Sequence, residues 1–112
     1  MESTRLQKIS RLLQKDLGEI LQRLDKDVLK GKMVSVTVVR VSPDLSLAKV
    51  YLSIFPSEGS QAFVDELKHH VKHIRNVLGQ RVRNQLRIVP ELAFFVDDSL
   101  DYVNHIDELL KK

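Results

Sequence analysis

Two histidines at metal-ligand spacing are the first residues of this sequence whose types suggest chemistry. On a helix, His69 and His73 lie one turn apart on the same face, as two zinc ligands would. No glutamate follows in the HExxH manner, however, and Lys72 places a cation beside them. A polar helix face, or histidines that help to contact phosphate, explains the group better. We therefore expect no metal and no other cofactor.

Three carboxylates near the end of the chain form the second group. Asp97, Asp98 and Asp101 could hold Mg²⁺ or take part in acid–base chemistry. They stand where the last helical pattern begins, and the helix dipole favours negative charge there. Helix capping is the favoured interpretation. Because the GxxxxGK[ST], GxGxxG and GxSxG motifs are absent as well, the sequence predicts a protein that is not an enzyme.

A basic run is the third group. The chain of 112 residues has a net charge of only +3, but residues 61–89 carry six Lys/Arg against two Asp/Glu. No acidic residue lies between Glu66 and Glu91. A solvated helix face is one explanation, but such a face usually mixes glutamate among its lysines. The run therefore favours RNA as the partner. Its members are Lys68, Lys72, Arg75, Arg81, Arg83 and Arg87.

Aromatic residues indicate how RNA would be recognised. They are few, and the sequence shows no ladder of exposed rings on which single-stranded bases could stack. We expect Phe94 and Phe95 to pack within a sheet. Recognition through phosphate charge and RNA shape is therefore more plausible than base-by-base reading.

The elements that must position these residues follow from apolar spacing. A first helix, capped by Ser3 or Thr4, is predicted by steps of three and four, and two strands follow at Met33–Val41 and Ala48–Phe55. In the first strand, Val34, Val36 and Val38 alternate with Ser35 and Thr37. The apolar positions of the helix are Leu6, Ile9, Leu13, Leu17, Ile20 and Leu24.

The second half of the chain reads as helix, strand and helix. Residues 42–45 have turn composition, so the two strands form a hairpin. Gln61–Gln85 is one long helix or two shorter ones. If it is one helix, Lys68, Lys72, Arg75 and Arg83 share an arc beside the buried stripe. Leu92–Val96 is a third strand, which could lie parallel to a hairpin strand, and a final helix follows residues 97–99.

Composition limits the class of protein. There is no cysteine, which excludes disulfides and fits a reducing compartment. No segment approaches the roughly 18 consecutive apolar residues that would suggest a membrane span. We expect one α+β domain over residues 1–112, soluble and cytoplasmic.

Two sequence blocks resemble the ribosome-binding factor A family. The string VSPDLSLAKVY at residues 41–51 is similar to the family's hairpin, and LRIVPELAFFVDD at residues 86–98 is similar to its second signature. The first helix also fits the family's opening pattern. The similarity covers about residues 4–110. Where the family pattern has Ala-x-Gly, this chain has His70-Val71-Lys72, so a kink or a more continuous helix both stay possible.

The resemblance implies a fold and a function. The fold is a type II KH-like α-β-β-α-kink-α-β arrangement, with a three-stranded mixed sheet covered by helices on one face, plus a short C-terminal helix. The family binds the free small ribosomal subunit (30S) and its 16S rRNA. It assists late maturation, including 5′-end processing and cold adaptation, and a ribosome-dependent GTPase promotes its release. We expect a monomer that does not bind membranes.

The location of RNA contacts at the kink of KH domains, together with the acid-free run, gives a predicted contact set. The alternative is a basic KH-like module that docks on an acidic protein surface without touching RNA. Arg87 has a structural alternative of its own, as a partner of Glu91 or of the carboxylates near Asp97. The predicted RNA-binding residues are Lys68, His70, Lys72, Arg75, Arg83 and Arg87, with Lys8 and Arg11 as secondary contacts.

Overall fold

Four helices and three strands make up the part of the chain that the computed structural model describes, residues 4–97. Among the helices of residues 4–97, none combines the length and the hydrophobicity that a membrane span requires. The predicted final helix, with Asp98 and Asp101, lies outside the described residues. The elements in chain order are α1 Thr4–Gln22, α2 Lys26–Leu29, β1 Met33–Val41, β2 Leu47–Phe55, α3 Ser60–Lys68, α4 Val71–Val82 and β3 Glu91–Val96.

The sheet is mixed and has the order β1-β2-β3. β1 and β2 are the predicted antiparallel hairpin, and β3 lies parallel to β2. A parallel neighbour requires a crossover connection, and α3 and α4 supply it. The predicted α+β arrangement with a three-stranded mixed sheet is therefore confirmed.

The core lies between the sheet and the helices. Alternate residues of each strand point towards α1, α3 and α4, and the apolar stripes of those helices meet them. The opposite sides of the strands are more exposed, so the sheet has one covered face and one open face. The largest fully buried side chains are Phe94, Leu13, Leu17, Leu21, Leu52, Leu67, Ile74, Leu78, Val50, Val64 and Val82, together with Pro90.

A β-bulge interrupts the alternation of β1. Val36 pairs with Leu52 and Val38 pairs with Tyr51, so Thr37 is an extra residue in β1. The bulge moves Val39 and Val41 into the core and leaves Val38 39% exposed on the open face. The expectation that Val38 would share the side of Val34 and Val36 is therefore wrong.

The turn of the hairpin is held by one carboxylate. Asp44 Oδ1 accepts hydrogen bonds from Ser42 Oγ at 2.7 Å, Ser46 Oγ at 2.8 Å and the Ser46 amide at 3.1 Å. These bonds, first of all the one from Ser42, lower the pKa of Asp44 to about 2. Leu45 adopts a left-handed backbone with φ of 62°, which the network around Asp44 holds in place.

The basic run is carried by two helices instead of one. α3 ends at Lys68, where the amides of His69 and His70 turn back to the carbonyls of Glu66 and Leu67. His70, at φ −107° and ψ 6°, then starts α4. Both histidines keep negative φ, so the kink is present without glycine.

Candidate functional site

An open groove of about 890 Å³ runs along α4 and is named here the α4 groove. α4 forms its floor, the kink forms one end, and the segment before β3 forms a wall. The residues that line it are His69, His70, Lys72, His73, Arg75, Asn76, Gly79, Gln80, Arg83 and Val89.

Positive charge dominates the α4 groove. Lys72 and Arg83 are exposed, Arg75 is half-buried, and none of the residues that line the groove is a carboxylate. Three histidines add donors at the kink end, where α4 begins. The first turn of α4 contains no acidic residue, so the positive end of the helix dipole adds to the side-chain charges. An anion with several oxygens, such as a phosphodiester backbone, fits this arrangement.

Arg75 has a structural role in the groove as well as a charge. Its Nε donates to the Pro90 carbonyl at 3.1 Å and its Nη2 donates to the Val89 carbonyl at 2.8 Å. These bonds fasten α4 to the segment that enters β3. Because carbonyl groups are neutral, the guanidinium keeps its full positive charge beside Lys72 and Arg83.

Arg81, a member of the basic run, points away from the groove. Its Nη1 lies 3.0 Å from Asp16 Oδ1 and 2.7 Å from Glu19 Oε2, so it joins α4 to α1. The hydrogen bond from Arg81 is the main reason that the pKa of Glu19 is lowered. The ion pairs between α4 and α1 therefore explain why an arginine is present at position 81.

Lys68 is separated from the other predicted contacts by the kink. It lies at the end of α3, 3.6 Å from Asp65 Oδ1, and it does not line the α4 groove. The predicted arc of Lys68, Lys72, Arg75 and Arg83 depended on one continuous helix, and that premise is wrong. The last three still meet, because all of them belong to α4 or its C-cap.

His70 lies inside the groove and also contacts α3. Its Nε2 is 3.6 Å from Glu66 Oε1. Among residues 4–97 there is no cluster of three or more His, Cys, Asp or Glu side chains that could hold a metal ion. His69 and His73 line the groove together with Lys72, as polar residues of its kink end.

The remaining predicted residues lie on other parts of the surface. Lys8 and Arg11 are on the exposed side of α1. Arg87 lines a separate hollow with Arg5 and the hairpin turn. Within the described range, no ion pair joins Arg87 to Glu91.

Asn76, Gly79 and Gln80 line the groove but were not predicted as site residues. Gly79 is four residues from both Arg75 and Arg83, and its lack of a side chain lets Val89 lie close to α4. A Cβ there would lie 3.2 Å from Val89 Cγ2. The signal that could have found it was glycine at helical spacing between arginines.

Comparison with known sequences gives consistent similarity. A sequence profile described as ribosome-binding factor A matches residues 5–110. Ribosome-binding factor A of Cytophaga hutchinsonii is 46% identical over 112 residues, which is all of this chain and 84% of that protein. The Flavobacterium johnsoniae protein of the same name is 48% identical over 111 residues, 98% of this chain and 85% of that protein.

Solved structures give the same result for the fold. The crystal structure of ribosome-binding factor A from Thermus thermophilus matches with a TM-score of 0.69 and 26% identity, over 81% of this chain and 94% of that one. The coordinates of a homology model of the Thermus thermophilus protein, fitted into a cryo-EM map of its complex with 30S, match with a TM-score of 0.62 and 30% identity. They cover 78% of this chain and 89% of that one.

Proposed function

Because the chain belongs to the ribosome-binding factor A family, we propose that it binds the free small ribosomal subunit by contacting rRNA phosphates in the α4 groove. The observation that carries the proposal is the groove itself, in which Lys72, Arg75 and Arg83 converge without any carboxylate among the lining residues. A family member from Thermus thermophilus has been fitted into a map of its 30S complex, which supports the same partner for this chain.

The charges of the groove suit a phosphate backbone. Lys72 and Arg83 are exposed, and neither forms an ion pair with another residue of the described range, so both charges are available to a phosphate. Arg75 is held in a fixed position by two carbonyls, so its charge is oriented before RNA arrives. Contacts of this kind set the position of a protein on RNA without reading base sequence. His70 adds a donor beside the start of α4.

The other predicted residues extend this contact to neighbouring surfaces. Lys68 lies just before the kink, on the far side of it from Lys72. Lys8 and Arg11 on α1 and Arg87 before β3 lie outside the groove. On a partner as large as a ribosomal subunit, such separated cations act as peripheral phosphate contacts, each of which contributes less than a groove residue.

The hairpin and the third-strand segment resemble the signatures of the ribosome-binding factor A family, and this resemblance supports a proposal about the role of the chain in the cell. The chain assists late maturation of the 30S subunit in the cytoplasm, including processing of the 16S rRNA 5′ end and growth in the cold. It acts as a monomer, by binding and without catalysis. A ribosome-dependent GTPase promotes its release.

Co-sedimentation tests the proposal. Purified chain is spun with free small subunits and, separately, with assembled ribosomes across a salt series. We expect preferential binding to the free subunit that weakens steeply with salt, since displaced counterions oppose binding. No binding to either particle would refute the proposal. Binding that survives nuclease digestion of the rRNA would instead support the alternative, a module that docks on a ribosomal protein.

A further inference from the structure

The open face of the sheet carries aromatic side chains next to a pair of cations. Val38, Tyr51 and Phe95 are direct partners across the three strands. The rings of Tyr51 and Phe95 are stacked, with centroids 5.4 Å apart and planes at 27°. Phe95 is 40% exposed. Phe95 alternates with buried Phe94, so the expectation that both would pack within the sheet is confirmed for Phe94 and wrong for Phe95.

Two cations form the adjacent row of the same face. Arg40 pairs directly with Lys49, two residues along each strand from Val38 and Tyr51. Two residues of strand span about 7 Å, so the cations lie about one nucleotide's breadth from the rings. Neither cation forms an ion pair with another residue of the 4–97 range.

Like charges that face each other across a strand pair destabilise a sheet. The Arg40–Lys49 pair is therefore unfavourable in the free protein and becomes favourable when an anion lies over it. The β-bulge at Thr37 is what brings Arg40 to this face, because without it Arg40 would point into the core. Bulges of this kind commonly re-aim side chains at functional sites.

We propose that the open sheet face binds an unpaired nucleotide of single-stranded RNA, with its base against Tyr51 and Phe95 and its phosphate at Arg40 and Lys49. Every base has a flat apolar face, so exposed rings bind bases with little sequence preference. Asp97, two residues after Phe95, accepts a hydrogen bond from Thr37 and lines one hollow with Val38, Arg40 and Tyr51, so its carboxylate is on the same open face. This surface is separate from the α4 groove and gives the protein a second kind of RNA contact.

Tyrosine fluorescence provides a direct test. The chain has no tryptophan and two tyrosines, Tyr51 and Tyr102. In a Tyr102→Phe chain, Tyr51 is the only tyrosine, and a base stacked against Tyr51 and Phe95 quenches its emission. A short oligoadenylate is titrated into this chain, and the matched probe is the same oligomer with abasic nucleotides. We expect saturable quenching by the first and none by the second.

Variants of the open face give the affinity change. Phe95→Leu keeps an apolar side chain but removes a ring, and we expect about five- to tenfold weaker oligoadenylate binding. Lys49→Gln leaves both rings in place and should weaken oligoadenylate and abasic binding alike. Circular dichroism confirms that both variants are folded. The Lys72→Ala/Arg83→Ala chain should still show quenching of Tyr51, because its sheet is unchanged.

Three results would overturn the inference. They are equal affinity for oligoadenylate and the abasic oligomer, binding without quenching, and full affinity in both Phe95→Leu and Lys49→Gln. Sedimentation equilibrium adds a fourth, since a dimer of the RNA-free chain that dissociates in Phe95→Leu would mean that a second copy covers the face. The inference can fail while the chain still binds small subunits, so its failure is distinct from failure of the proposed function.

Discussion

Replacing Lys72 and Arg83 with alanine removes the two exposed cations of the α4 groove and leaves the structural contacts of Arg75 in place. If each contacts one phosphate, the slope of log affinity against log salt falls in magnitude by about 1.4–1.8 for the pair. The assay measures the affinity for free small subunits at several salt concentrations, by co-sedimentation or by fluorescence anisotropy.

The same relation gives the loss of affinity. If the two residues contribute only through counterion release, the curves of the intact and variant chains meet near 1 M salt. The variant should then bind about 25- to 60-fold more weakly at 0.1 M salt, and only about four- to fivefold more weakly at 0.4 M. The difference between these two conditions separates a phosphate contact from a change in folding, which would lower affinity by a similar factor at every salt concentration.

A matched control removes the same charge elsewhere. Lys15 and Lys26 are exposed on α1 and α2 and do not line the groove. The Lys15→Ala/Lys26→Ala chain should keep nearly the full slope, because distant charges are screened. Equal losses in the two double variants would show that net charge matters and the groove does not. An unchanged slope in the groove variant would refute the assignment of Lys72 and Arg83.

Three further predictions concern the elements that hold the groove and the hairpin. Arg75→Ala should lower the free energy of unfolding by about 1.5–3 kcal/mol in urea titrations, because two carbonyls lose a charged donor; no loss would show that the Arg75 bonds do not hold the wall. His70→Gly should be about 0.5–1 kcal/mol less stable than His70→Ala, because the kink uses negative φ; a more stable glycine variant would contradict this backbone. Since the pKa of Asp44 is lowered from 3.8 to about 2, its contribution to stability is complete above about pH 4 and is lost as pH falls towards 2. Asp44→Asn should therefore flatten that part of the stability–pH curve, and an unaltered curve would argue against the hydrogen bonds of the turn.

The strands and the hairpin could be predicted from local patterns. Apolar alternation placed β1 at its observed bounds and the start of β2 within one residue, and a compact apolar run placed the start of β3 within one residue. These elements depend on side chains that alternate between a core and a solvent face, which a sequence displays directly. The helical crossover indicated that β3 could lie parallel to one of the hairpin strands, and the structure shows that this strand is β2.

The kink and the bulge could not be predicted in the same way. His69 and His70 break the helix with negative φ angles that any residue can adopt, so no glycine or proline marks the position. In β1 the alternation changes phase at Val38-Val39, but two adjacent valines do not show which residue is extra, and the pairing with β2 identifies Thr37.

The roles of individual arginines also depend on the folded neighbourhood. Arg75, Arg81 and Arg83 look alike in the sequence. Carbonyls of the segment before β3 bind Arg75, carboxylates of α1 bind Arg81, and Arg83 lines the groove. These partners are distant in the chain, so local spacing identified a basic surface but not which cations are available to RNA.

Site-directed cross-linking to rRNA tests the location of the contact most directly. The chain has no cysteine, so Gln80→Cys, in the α4 groove, and Lys26→Cys, on α2, each accept one photoreactive group. Each labelled chain is bound to free small subunits and irradiated. The proposed interface predicts cross-links to 16S rRNA from position 80 and few or none from position 26. Cross-links from position 80 only to ribosomal proteins, or rRNA cross-links that favour position 26, would contradict it.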